Sequence, residues 1–287
     1  GSEASSIDTA LLVAGALVAG RYFKDSQIEE LATKIYEEVD WKWMLNGSEY
    51  ICHGYKPESG FLPFYWDTYS EHLIMQALAI GSPTYPVPKS VWKKWKRNSQ
   101  TINGRSIIYS YSGSLFTYQY PHAYIDFREL FDEDINYFSN SVYATLANRD
   151  FCSREGDMYE TYRKGYWGIT ACLGPRGYKA YGAEPAESYY HDGTIAPYGA
   201  IASLPFTPEE SFSCIQKLYT EQKLKLYREC GFTDAFNLEK DWFARDYIAI
   251  DQGIIIMMIE NYRTGLIWKY FMELEPVEKW LSSCELR

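Results

Sequence analysis

Histidine and cysteine are scarce in this chain: of 287 residues, four are His and six are Cys. No C-x-x-C pair and no H-E-x-x-H occur, which argues against a zinc knuckle or a zincin-type metalloprotease. The cysteines (Cys52, Cys152, Cys172, Cys214, Cys230 and Cys284) stand singly in a large chain. That distribution is not a disulfide scaffold and predicts mostly buried thiols. A G-x-S-x-G elbow is also lacking, and no glycine-rich turn follows a strand and opens a helix. Serine-hydrolase and dinucleotide readings are therefore set aside. Long apolar runs are missing too. The most apolar stretch, Ala10 to Gly20, is too short to span a bilayer and is broken by small residues. No membrane span is expected, and no charged segment leads into an apolar run as in a signal peptide.

Positive charge is in short supply. Lys and Arg number 28 against 38 Asp and Glu, a formal net charge of -10. The one dense basic cluster, Lys93, Lys94, Lys96 and Arg97, is short and reads as a solvated helix end. A nucleic-acid partner would meet repulsion, so none is expected. What the chain does have is aromatic rings. They make up 17% of it, with 27 Tyr and 9 Trp, within an otherwise ordinary globular composition of 46% hydrophobic and 23% charged residues. Such rings fill cores, and they also suit neutral, hydroxyl-rich ligands whose C–H faces stack on them.

The pattern along the chain is helical. Ser5 or Ser6 caps an apolar helix running to about Phe23, and Asp25 or Ser26 caps a second from Ile28 to Val39 with Ile28, Leu31, Ile35 and Val39 on one face. Trp41 to Phe64 reads as loop with a short hairpin, and Thr68 to Ile80 as a third helix ended by Gly81. A short helix is expected around Val91 to Arg97, and a long one from Asp134 to Ser153. Asn103 to Arg128 and Glu155 to Thr194 read as irregular, rich in Tyr or Gly, and the second is long enough to be functional. Further helices are expected at Pro197 to Ser203, Pro208 to Tyr219, Gln252 to Tyr262 and Leu266 to Met272. With no βαβ alternation and no strand array, the fold class is all-α, and an α/α toroid with loops forming a cleft at one end fits best.

Carboxylates with aromatic neighbours are the chemical candidates, because glycoside hydrolysis needs two carboxyl groups across the scissile bond. In Trp66-Asp67-Thr68-Tyr69-Ser70-Glu71-His72, Asp67 reads as an N-cap. Glu71 reads equally as a first-turn acid or as a reactive carboxyl. Glu3 and Asp8 flank the first helix start, where capping explains them too. Asp126 and Arg128 form a close pair, which suits either positioning or structure. Asp192, in Tyr189-Tyr190-His191-Asp192-Gly193-Thr194, and Asp251, in Ile250-Asp251-Gln252-Gly253, are plausible caps that could also touch ligand.

Several of these segments resemble the bacterial glycoamylase-like family. They are Ser5-Ser6-Ile7-Asp8-Thr9-Ala10-Leu11-Leu12, Val39-Asp40-Trp41-Lys42-Trp43-Met44, Tyr69-Ser70-Glu71, Gly81-Ser82-Pro83-Thr84 and His122-Ala123-Tyr124-Ile125-Asp126-Phe127-Arg128. Gly168-Ile169-Thr170-Ala171, His191 to Pro197, Ile250 to Gly253 and Ile259 to Gly265 follow in the same order over nearly the whole chain. The resemblance implies an (α/α)6 barrel and an inverting endo-hydrolase of β-1,2-linked glucan, without metal or organic cofactor, in the periplasm or at the cell surface. It implies Glu71 as general acid and Glu3 as second carboxylate. Asp8, His122, Asp126, Arg128, Asp192 and Asp251 match family motifs as substrate-binding candidates, and Trp66, Trp167 and Tyr181 are the candidates for sugar stacking. Family domains carry further helices ahead of the Ser-Ser-Ile-Asp-Thr segment. The expectation is one domain over 1–287, incomplete on its N-terminal side, with a separate N-terminal fragment as a partner that completes the barrel. A transglycosylating domain of the cyclic-glucan-synthase kind and a non-catalytic glucan-binding protein are the alternatives.

Overall fold

The computed structural model describes residues Ser2–Arg287. Helices dominate. The first four are α1 (Ser6–Phe23), α2 (Ser26–Glu37), α3 (Leu73–Gly81) and α4 (Ser90–Lys94). Next come α5 (Leu115–Tyr124), α6 (Tyr137–Arg154), α7 (Glu160–Arg163), α8 (Pro197–Ile201) and α9 (Pro208–Glu221). The last four are α10 (Lys223–Leu226), α11 (Ala249–Thr264), α12 (Leu266–Met272) and α13 (Glu275–Cys284). The strands are short and form one three-stranded sheet and four two-stranded ones. The chain divides into two compact units. One holds the residues up to Arg97 with Tyr124–Asn136 and Leu266–Arg287, and the other holds Asn98–Ala123 with Tyr137–Gly265.

In the first unit, helix starts follow the expected caps. Ser5 takes extended backbone and its side chain accepts the Asp8 N–H at 3.2 Å, while Asp25 accepts from Gln27 and Ile28. α1 turns Ala10, Val13, Ala14, Leu17 and Gly20 inward and packs on α2, α3 and α12. It runs 18 residues to Phe23, as its cap and apolar run lead one to expect, with a mean hydropathy of 1.3. Among the described residues it is the one helix that is long and apolar enough to cross a membrane. Every residue of α3 is buried, and α13 lies against it. Gly81 is required there, because a Cβ at that position would sit 2.1 Å from the Pro276 carbonyl oxygen. α13 was not expected, although Val277, Trp280 and Cys284 mark its buried face at helical spacing.

Asp132 organises one edge of this unit. It is 3% exposed and accepts from Arg97 at 2.8 Å, Lys93 at 2.9 Å and the Trp92 indole at 3.1 Å. The basic cluster is therefore not merely a solvated helix end. Two of its four residues neutralise a buried acid, and the Arg97 guanidinium lies 3.7 Å above Trp95.

The second unit contains the Asn103–Arg128 stretch that reads as irregular, and half of it is ordered differently. Ser99–Ile102 pairs with Arg105–Ile108, and α5 follows with Pro121 inside it. Packing overrides the poor helix propensity of Tyr, Phe and Pro here. Leu115, Tyr118 and Tyr120 are buried, and Gln119 donates to the Gly199 carbonyl at 2.7 Å and to Ser203 Oγ at 2.9 Å. Buried polar groups are satisfied in chains: Ser114 meets Thr170 at 3.0 Å, and Thr170 meets the Tyr198 hydroxyl at 2.8 Å, which donates to the Ala171 carbonyl at 2.6 Å. The Glu155–Thr194 stretch carries α7 and a hairpin of Cys172–Gly174 with Gly177–Lys179. All six thiols are free; five are buried and Cys230 is exposed.

Candidate active site

The first unit gathers Glu3, Asp8, Trp66 and Glu71. Ala4 and Ser5 pair with Tyr55 and Gly54, which carries Glu3 alongside the Gly54 strand. Ser6, fully buried at the head of α1, donates to the Cys52 carbonyl at 2.7 Å and accepts the Trp66 indole N–H at 3.0 Å. That bond spans sixty residues of sequence and fixes the Trp66 ring. The ring is half-buried and stacks on His53 with centroids 3.9 Å apart and planes 20° apart. His72 lies on a further parallel ring plane, 5.9 Å from Trp66.

Glu71 does not belong to a first helical turn as expected; it lies in the turn just before α3. The helix dipole is therefore not what governs its charge. Burial is, and it pushes the carboxyl up to about 7, with the nearby Asp8 charge adding to the rise and the Glu71 backbone N–H opposing it. Its Oε2 is shielded from water and accepts no hydrogen bond. Beside it, His72 Nδ1 meets Ser70 Oγ at 2.9 Å. Burial, with the charges of Arg97 and His53, holds His72 down at about 3, so the ring is neutral. His53 is lowered as well, by burial first.

Asp67 is not the expected N-cap: it forms an ion pair with Lys96 at 2.8 Å on the surface. Glu3 pairs with Lys56 at 3.5 Å with a third of its side chain exposed, and Asp8 is exposed in the first turn of α1. Asp126 and Arg128 form the expected fork, at 2.8 and 2.7 Å, with the guanidinium 4.4 Å over Trp268.

The other candidates belong to the second unit. His122 is fully buried, with Nε2 2.9 Å from Ser141 Oγ and its ring edge-on to Phe206. Trp167 and Tyr181 are 4% and 1% exposed, so they offer little ring surface for a sugar. Asp192 is half-buried, which works against its charge, but bonds from Lys240 at 2.6 Å and Thr194 at 2.6 Å hold its carboxyl below the usual range. Asp251, in the first turn of α11, is buried and faces Asp234, which the sequence reading misses. Asp234 Oδ2 accepts the Leu173 N–H at 2.6 Å, whereas Asp234 Oδ1 and Asp251 Oδ2 have no other donor. Burial raises both carboxyls, and the neighbouring charge raises Asp251 further, so the pair shares a proton. Asp234 lies in Thr233-Asp234-Ala235-Phe236, where nothing but an acid amid apolar residues marks it.

Three pockets lie away from these carboxylates, the roomiest of them, about 480 Å³, lined by Arg21, Ser26, Glu29 and Tyr270 among others. One of about 310 Å³ is enclosed by α1, α2 and α13, with Tyr36, Glu37 and Lys279 among its walls. Another, of about 340 Å³, is lined by Arg149, Arg154, Arg163, Tyr166 and Trp167. No group of three or more His, Cys, Asp or Glu side chains among the described residues could hold a metal ion.

Residues 63–275 match the model of the Glycoamylase family, described as "Putative glucoamylase". The chain belongs to this family. A structure from Bacteroides uniformis, described as a "putative glucoamylase", superposes with a TM-score of 0.91 at 32% identity, over 99% of this chain and 71% of that one. An endo-β-1,2-glucanase from Chitinophaga pinensis, solved with sophorotriose and glucose, gives a TM-score of 0.89 at 30% identity, over 99% and 71%. An exo-β-1,2-glucooligosaccharide sophorohydrolase of Parabacteroides distasonis is 28% identical over 315 residues. That alignment takes in 97% of this chain but 43% of the sophorohydrolase, so the chain spans less than half the length of this curated relative.

Proposed function

We propose that this protein is a glycoside hydrolase that cleaves β-1,2-linked glucan by an endo-acting, inverting route, with Glu71 as the general acid. The observation that carries the reading is the Glu71 carboxyl. It is half-buried, has an oxygen shielded from water without a partner, and is raised to about 7. A general acid must hold its proton at working pH and release it to the leaving oxygen. The half-buried Trp66 ring, stacked with His53, is the surface proposed for a sugar ring, and the fully buried His72 backs it. Glu3, paired with Lys56, is the second carboxylate in this reading and activates water. The likeness to β-1,2-glucan hydrolases supports the substrate class.

The helical hairpins are read as part of an (α/α)6 toroid, α1 as a packed helix rather than a membrane span, and the site of action as the periplasm or cell surface. Inversion needs the two carboxyl groups about 6.5–9.5 Å apart, with a water between them. The test is the anomeric form of the first product, followed by NMR during hydrolysis of linear β-1,2-glucan. Inversion releases the α-anomer first, with chain length falling throughout the polymer population. A β-anomer appearing first rejects the inverting mechanism, and release of a single short product from intact polymer rejects endo action.

A further inference from the structure

Within the second unit, His191 sits among four aromatic rings. Its ring is nearly parallel to Tyr162, with centroids 6.1 Å apart and planes 28° apart, and to Tyr189, at 6.2 Å and 27°. Phe151 and Tyr159 close its edges at 4.8 and 5.3 Å. Phe151 also meets Tyr189 edge-on at 5.6 Å. The inner members of this stack are core residues: Tyr162 and Phe151 are each 2% exposed, and His191 Nδ1 is sealed from water without a partner. Tyr189 is different. It is fixed by the same contacts and yet is 42% exposed.

A large ring held rigid on one side and open on the other loses little freedom when something lies on it. What lies on it is constrained by the charges nearby. Lys240 is engaged by Asp192, Arg154 by Glu184 and Glu155, and Lys179 lies 4.3 Å over the Tyr190 ring, so an anionic ligand would have to displace existing contacts. Asp192, only three residues along the chain, is an ionised acceptor for hydroxyl groups. Flat C–H faces for the ring and hydroxyls for the carboxylate together describe a neutral sugar.

The geometry points to the outer face of Tyr189 as a stacking subsite for one glucose unit of the glucan chain, built on the Tyr162–His191–Tyr189 stack. It rests on the glucan reading above and adds a residue to it. Trp167 and Tyr181, the rings that sequence suggests for this role in the same unit, are covered; Tyr189 is not.

Affinity electrophoresis in gels containing linear β-1,2-glucan tests the subsite, using Glu71→Gln protein to prevent turnover. Adding Tyr189→Ala weakens binding roughly ten-fold, Tyr189→Phe leaves it within about two-fold, and Tyr85→Ala, on the other unit, leaves it unchanged. Should Tyr189→Ala not fold, nitration by tetranitromethane of the Glu71→Gln protein gives the same answer, with glucan protecting Tyr189 and not Tyr85. A folded Tyr189→Ala that binds like its parent, or no protection at Tyr189, overturns the subsite while hydrolysis by the unsubstituted chain leaves the glucan reading standing. A folded parent that binds no β-1,2-glucan overturns both.

Discussion

The charge of Asp8, in the first turn of α1, reaches Glu71 and adds to the rise that burial imposes on the Glu71 carboxyl. Two segments far apart in sequence thus set one proton affinity. If Glu71 is the general acid, activity falls as pH rises through about 7, because only the protonated carboxyl can donate. Removing the Asp8 charge with Asp8→Asn lowers the Glu71 value and moves that alkaline limb to lower pH. A pH profile of glucan hydrolysis that is the same in both proteins would refute the coupling.

The Asp234–Asp251 pair makes a prediction about stability. Both carboxyls are raised in the folded protein, chiefly by burial. Their contribution is therefore complete below the unfolded Asp value, near pH ~4, and is lost as pH rises through the folded values. Asp251→Asn cannot ionise, so it flattens the loss of stability between neutral and alkaline pH. Glu71 contributes a loss of the same sign, on the order of 3 kcal/mol across its shift, so urea unfolding from pH 5 to 9 is best compared in a Glu71→Gln background. Parallel curves with and without Asp251→Asn would contradict the shared proton.

Asp132 is the structural counterpart. Asp132→Ala removes the acceptor shared by Arg97, Lys93 and the buried Trp92 indole and costs about 1–3 kcal/mol of folding stability. Below the unfolding temperature, turnover per folded molecule stays that of the parent. Thermal unfolding and a rate measured at low temperature separate the two effects, and a large loss of rate in a folded sample would give Asp132 a role beyond packing.

Trp66 combines a hydrogen bond and a ring. Trp66→Phe removes the indole donor to Ser6 and costs about 1 kcal/mol while keeping a ring over His53. Trp66→Ala also removes the surface beside Glu71, and KM for glucan rises more than kcat falls. Equal kinetics for the Phe and Ala variants would exclude sugar stacking at this position.

Much of the fold is legible in the sequence because its helices announce themselves. Ser5 and Asp25 cap α1 and α2 as read, and α8, α9, α11 and α12 start close to where Pro197, Pro208 and the apolar periodicity put them. α5 is not legible, because its Tyr, Phe and Pro121 are poor helix formers that only burial makes helical. Glu71 is picked out by its motif, but its chemical character is not. The sequence suggests a first-turn acid favoured as an anion, and the fold instead removes it from the helix and shields its Oε2 from water. Asp234 is invisible for a simpler reason. Seventeen residues and an irregular segment separate it from Asp251, so neither helical nor strand periodicity relates them.

The central claim is that Glu71 donates the proton in cleavage of β-1,2-glucan. Product analysis on linear β-1,2-glucan, starch and laminarin side by side, with the unsubstituted chain and Glu71→Gln, tests it most directly. The account predicts short oligosaccharides from β-1,2-glucan alone, and a fall of roughly 10²–10⁴-fold in Glu71→Gln with cooperative thermal unfolding retained. Full activity in Glu71→Gln, or products from starch while β-1,2-glucan stays intact, would contradict it.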